Sequence, residues 1–152
     1  MVTAQTVTPI QTVSGTGFNF YKASAYDDLL QEIESTSYED KEKISNTRTR
    51  AVYKSDSGFN DNFFQTVLSP SNYNTLKNNR SRQTLFKVSY VIDNTGNTTY
   101  SAALRFPTSL VTLSNAEVEA ILTEALNHKF AYTKKPSDVN CFFLVVTYSF
   151  II

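Results

Sequence analysis

The sequence predicts an α+β domain built on an antiparallel sheet of about five to six strands, with one face covered by a C-terminal helix. Three observations carry this expectation. Segments 83–92 and 98–107 alternate with period two on either side of DNTGN, 93–97, a strong turn signal. A helix with a complete N-terminal signature follows over 114–128. The segment 139–152, VNCFFLVVTYSFII after Asp138, is rich in the β-branched and aromatic residues that favour strands.

The elements follow in order. Residues 6–13 and 17–23, separated by SGTG, predict an N-terminal hairpin within 1–23, with Pro9 confining the first run to an edge. An acidic insert spans 24–46; within it 25–35 predicts a short helix with Leu29, Leu30 and Ile33 on one side. The sheet is expected over 47–106. Its first runs are 47–55 and 62–69, both strand-like and joined by a turn at Ser57 and Gly58; a polar loop then covers 70–82. In the helix 114–128, Ser114 and Glu117 form a capping box and Leu113 is placed to staple against Val118. Val118, Ile121, Leu122, Ala125 and Leu126 make an apolar stripe that must pack on something.

At 152 residues the chain is expected to be one domain, 1–152, with a core of its own. The formal net charge of zero hides a segregation. Asp27, Asp28, Glu32, Glu34, Glu39, Asp40 and Glu42 crowd one segment; Lys43, Arg48, Arg50, Lys54, Lys77, Arg80, Arg82 and Lys87 dominate the next. A basic middle of this kind binds anions that the total charge would not suggest, although a charge run is also an ordinary solvated face. The opening MVTAQTVTPIQTV lacks the pattern of a secretory signal, and the C-terminal apolar run falls short of the roughly 20 residues that span a bilayer. The expectation is a soluble protein of the cell interior, or of a particle assembled there, with no membrane partner.

No catalytic constellation is visible. Cys141 is the single cysteine and His128 the single histidine, so cysteine clusters and two-histidine metal sites are excluded, and no metal or cofactor is expected. His128 falls near the end of the helix, where the dipole favours an imidazolium, and reads as structural. The pairs Asp27/Asp28 and Glu39/Asp40 are adjacent in sequence and do not converge on a substrate as acid–base work requires. Phosphate-cradling glycine loops are missing too.

What remains is a sheet face. Alternation puts Phe86, Val88, Tyr90 and Ile92 with Tyr100, Ala102, Leu104 and Phe106 on a large apolar face. The other face carries Leu85, Lys87, Ser89 and Val91 from one strand and Thr99, Ser101, Ala103 and Arg105 from the next. Cations among hydroxyls suit phosphate contacts, and open strands hold splayed bases; a solvent-exposed sheet face has the same composition.

The run RQTLFKVSYVI, a polar turn, TTYSAALRFP and the helix SNAEVEAILTEALNH, within residues 82–128, resembles the coat proteins of single-stranded RNA bacteriophages. The resemblance implies an N-terminal hairpin, an antiparallel sheet and an interlocked homodimer in which each subunit's helix reaches across the other's sheet. It also implies that the uncovered face lines a shell and meets the RNA genome. By position Lys87, Thr99, Ser101 and Arg105 match RNA-facing residues, with Ser89, Arg82 and Arg50 as further candidates on the same basic middle. Arg105 stands where the family usually has a smaller polar residue. The insert 24–46 is longer than the family's connection, and a strand-like 139–152 replaces a second helix. The function expected is thus a non-enzymatic viral coat protein, self-assembling into an icosahedral capsid in the bacterial cytoplasm. Two rival readings are a non-assembling nucleic-acid-binding module and a fibre or pilus-type structural subunit.

Overall fold

The computed structural model describes residues 10–12, 18–34, 51–53, 59–78, 86–92, 98–107, 111–132 and 144–150. In chain order these form β1 (Ile10–Thr12), β2 (Phe18–Lys22), α1 (Tyr26–Glu34), β3 (Ala51–Tyr53), α2 (Asp61–Val67), α3 (Pro70–Asn78), β4 (Phe86–Ile92), β5 (Thr99–Pro107), α4 (Asn115–Ala125), β6 (Phe130–Tyr132) and β7 (Leu144–Phe150). The class is α+β with an antiparallel sheet, as the sequence suggests. No helix among the described residues is long and apolar enough to cross a membrane.

Strand β5 lies between β2 and β4, antiparallel to both. Strand β1 pairs with β2 and β7 with β4, giving the order β1-β2-β5-β4-β7. Strands β3 and β6 pair separately. One face of the sheet carries Tyr21, Val88, Tyr90, Ile92, Ala102, Leu104 and Phe106, all buried. Tyr21 and Phe106, on adjoining strands, stack with ring centroids 5.7 Å apart.

Helix α4 covers that face. The capping box forms as the sequence dictates: Glu117 N–H donates to Ser114 Oγ, and Ser114 N–H donates to the Glu117 carboxylate at 2.8 Å. With its start fixed, the stripe Val118, Ile121, Leu122 and Ala125 is fully buried and α4 lies against β5.

Two segments differ from the sequence reading. Residues 62–69 are expected as a strand and fold instead as α2, because Asn60 accepts from Phe63 N–H at 2.8 Å and caps a helix. The expected loop 70–82 contains α3. Pro70 occupies its first turn, where a missing N–H costs nothing, and the Ser69 hydroxyl accepts from Asn72 N–H. Tyr73 and Leu76, three apart, are its buried residues.

The larger correction concerns the second face of the sheet, expected to be open. Helix α1 lies on it, against β4 and β5. Tyr26 is buried and hydrogen-bonded to the Ser89 side chain, and Ser101 Oγ donates to the Ser24 carbonyl at 3.2 Å. The physical reason is that this face is less polar than its hydroxyls suggest. Val91 and Ala103 on it offer apolar surface to Tyr26 and Ile33, and all four side chains are buried. The helix read at 25–35 is therefore a second cover on the sheet.

Candidate nucleic-acid interface

Register places the face in rows. Facing residues of neighbouring strands point the same way, so each row can be followed across the sheet. The first row is Phe20, Arg105 and Lys87, Phe20 opposite Arg105 and Arg105 opposite Lys87, with Ser149 at the next register position on β7. The second is Lys22, Ala103 and Ser89. The third holds Ser101 and Val91.

Helix α1 closes the second and third rows. Lys22 Nζ is held 2.8 Å from Asp27 Oδ1, Ser89 bonds Tyr26, and Ser101 has no exposed surface. Burial pushes the Tyr26 phenol above its ordinary value, and the Asp27 charge adds to this against the Ser89 bond, so the ring stays neutral in this cover. The first row keeps solvent access: Phe20, Arg105 and Lys87 are each half-buried.

The residues expected to meet RNA are thus divided. Lys87 and Arg105 come together as facing partners. Ser89 and Ser101 share their side of the sheet, yet bond to α1 and the turn before it. Thr99 is on the opposite face. Between Val91 and Ile92 the β4–β5 register shifts, so that Ile92 faces Thr99 and Tyr100 is the extra residue. Past that bulge the alternation inverts. Thr99 is buried beside α4, and its hydroxyl donates to the His128 carbonyl at 2.7 Å. Arg82 and Arg50 lie outside the described residues.

Two residues escaped the sequence reading. Phe20 and Lys22 enter the face from β2, with Lys22 Nζ 5.5 Å from the Phe20 ring centroid. Their alternation in FNFYK was legible; their register against Arg105 and Ala103 is a long-range pairing that alternation alone does not specify.

His128 is a structural group, but not as an imidazolium. Its Nδ1 is 2.8 Å from Tyr90 Oη, and its ring stands edge-on to Phe59 at 4.4 Å between centroids. Burial lowers its pKa from 6.5 to about 4. A helix C-terminus favours a histidine cation by at most about 2 kcal/mol, less than the desolvation that lowers this pKa. The neutral ring leaves no ion pair with Glu124, whose Oε1 is 3.6 Å from Nε2. Among the described residues no group of three or more histidines, cysteines or carboxylates could hold a metal ion.

No family model, curated protein or solved structure matches this chain.

Proposed function

We propose that the chain is a non-enzymatic coat subunit that dimerises by interlocking, self-assembles into an icosahedral shell and encloses single-stranded RNA. Each subunit contributes five to six strands to the shell wall. Assembly takes place in the cytoplasm of a bacterial host, and the virion is where the protein resides. RNA meets the inward sheet face at Lys87 and Arg105, and the contact is narrower than the full face because α1 lies over the rest.

The observation that carries this reading is the facing pair Lys87 and Arg105, two half-buried cations on adjacent strands beside an aromatic ring. Neighbouring cations of this kind suit contacts to phosphates. The resemblance over 82–128 supports the same reading. So does β7, which pairs with β4 on one side only among the described strands and leaves its other edge for a neighbouring subunit.

The test is the double substitution K87A/R105A, assayed for binding to a single-stranded RNA across a salt series. Each lost phosphate contact lowers the salt slope by about 0.7, so two lower it by about 1.4 and weaken binding about 25-fold at 0.1 M salt. Unchanged affinity and slope would remove this face from the RNA contact.

A further inference from the structure

We infer that α1 is a detachable cover: it lifts from the sheet while the strands beneath stay paired, and it competes for that face with an anionic strand. The competition rests on the RNA reading; the lifting does not.

The two covers of the sheet are built differently. Helix α4 puts Val118, Ile121, Leu122 and Ala125 fully out of solvent, whereas α1 buries Tyr26 and Ile33 and leaves Leu29 and Leu30 half-buried. Much of what holds α1 and the turn before it is polar: Lys22 Nζ on Asp27 at 2.8 Å, the Tyr26 phenol on Ser89, and Ser101 Oγ on the Ser24 carbonyl at 3.2 Å. Water replaces such bonds when the helix lifts, but it does not replace apolar contacts. Elements with few buried apolar side chains are the ones that open locally in a folded chain. Strain works in the same direction. The chain turns from β2 into α1 through Ala25 at φ 69°, a left-handed conformation that its Cβ disfavours and that the lifted chain has no need to keep.

Charge identifies what the cover keeps out. Beneath and beside α1 the face carries Lys22, Ser89 and Ser101, next to the row of Arg105 and Lys87. In the closed form Asp27 holds Lys22 as a phosphate would, Lys22 lies over the Phe20 ring, and Phe20 and Arg105 each have partners. Asp27, Asp28 and Glu32 are exposed on α1 and repel an approaching phosphate chain. Lifting α1 takes these carboxylates off the face and bares Lys22 with the Ser89 and Ser101 hydroxyls. An anionic strand thus gains Lys22 only by displacing the helix.

Amide hydrogen exchange on the full chain tests the lifting. A nine-residue helix is not stable alone, so α1 amides exchange each time it lifts. They are expected to exchange at least about tenfold faster than the paired amides of β4 and β5. I121V, on α4, should speed β4 and β5 and leave α1 unchanged, because α4 stays packed when α1 lifts. Y26F keeps the ring and the charges and removes the bond to Ser89, so α1 exchange should rise about 2- to 12-fold. A ten-nucleotide oligoadenylate that binds the lifted form should bind Y26F tighter by the same factor and, at saturation, speed α1 exchange in the parent. If α1 amides exchange only together with those of β4 and β5, the cover does not lift and the inference fails. If α1 lifts more often in Y26F and the oligonucleotide binds no tighter, the competition is overturned. Failure of both proteins to bind it while α1 still lifts would overturn the RNA reading, and the competition with it.

Discussion

Acid should destabilise this fold through His128. The folded pKa is about 4 against 6.5 for an unperturbed imidazole. Above pH 6.5 the ring is neutral in both states and contributes no pH dependence. As pH falls below that value, the unfolded chain takes up a proton that the folded one refuses, so stability drops by about 1.4 kcal/mol per pH unit. The loss reaches about 2 kcal/mol at pH 5 and levels off at about 3 kcal/mol once the folded ring also protonates near pH 4. Tyr90 from β4 and Glu124 from α4 face the ring. Glu124, held above its ordinary range mainly by burial, acts in the opposite sense, its contribution growing as pH falls. The comparison is therefore between the parent and H128Q, which lacks the titrating ring. Urea unfolding midpoints at pH 7, 6 and 5, each with its own slope, give the free energies. Between pH 7 and 5 the parent should lose about 2 kcal/mol more than H128Q, whatever the variant costs at pH 7. Parallel losses in the two proteins would refute the buried neutral ring.

Glu117 joins the starts of α3 and α4: its carboxylate accepts from Ser114 N–H at 2.8 Å, Ser69 N–H at 2.9 Å and the Asn72 amide at 2.9 Å. Burial pushes this carboxyl up, but the bonds outweigh it and its pKa lies below the ordinary value, so its contribution is present above pH 4.5 and fades as pH falls through the folded pKa. E117Q should cost about 2 kcal/mol in urea unfolding at pH 7, since charge-assisted bonds to three donors are weakened together; a loss within 0.5 kcal/mol, roughly the scatter of an ordinary surface change, would contradict the shared cap. Ala25, between β2 and α1, has φ of 69°, where a Cβ is strained by about 1–2 kcal/mol. Glycine removes the strain and returns up to about 1 kcal/mol to the unfolded chain as entropy, so A25G should raise the thermal midpoint by a few degrees, and a lowered midpoint would argue against this backbone conformation.

What was legible in the sequence was local. Ser114 and Glu117 announce α4, and the alternation around DNTGN announces β4 and β5, because caps and period-two patterns act over a few residues. Signals at Ser69 and Pro70 were equally local and mark α3, though the surrounding polar residues read as a loop. Long-range placement was not legible. The acidic segment 25–35 reads as a helix, but nothing in its spacing tells which sheet face it covers. A single inserted residue at Tyr100 reverses the side that Thr99 takes. For the candidate interface this means that alternation brings Lys87 and Arg105 to one face and puts Thr99 on the wrong one, while the place of Phe20 depends on the β2–β5 register.

The most direct measurement is negative-stain electron microscopy of the protein expressed alone in bacteria, with the absorbance ratio at 260 and 280 nm taken on the same fraction. The proposed function predicts uniform round particles whose absorbance shows enclosed nucleic acid. A small species free of nucleic acid would contradict it.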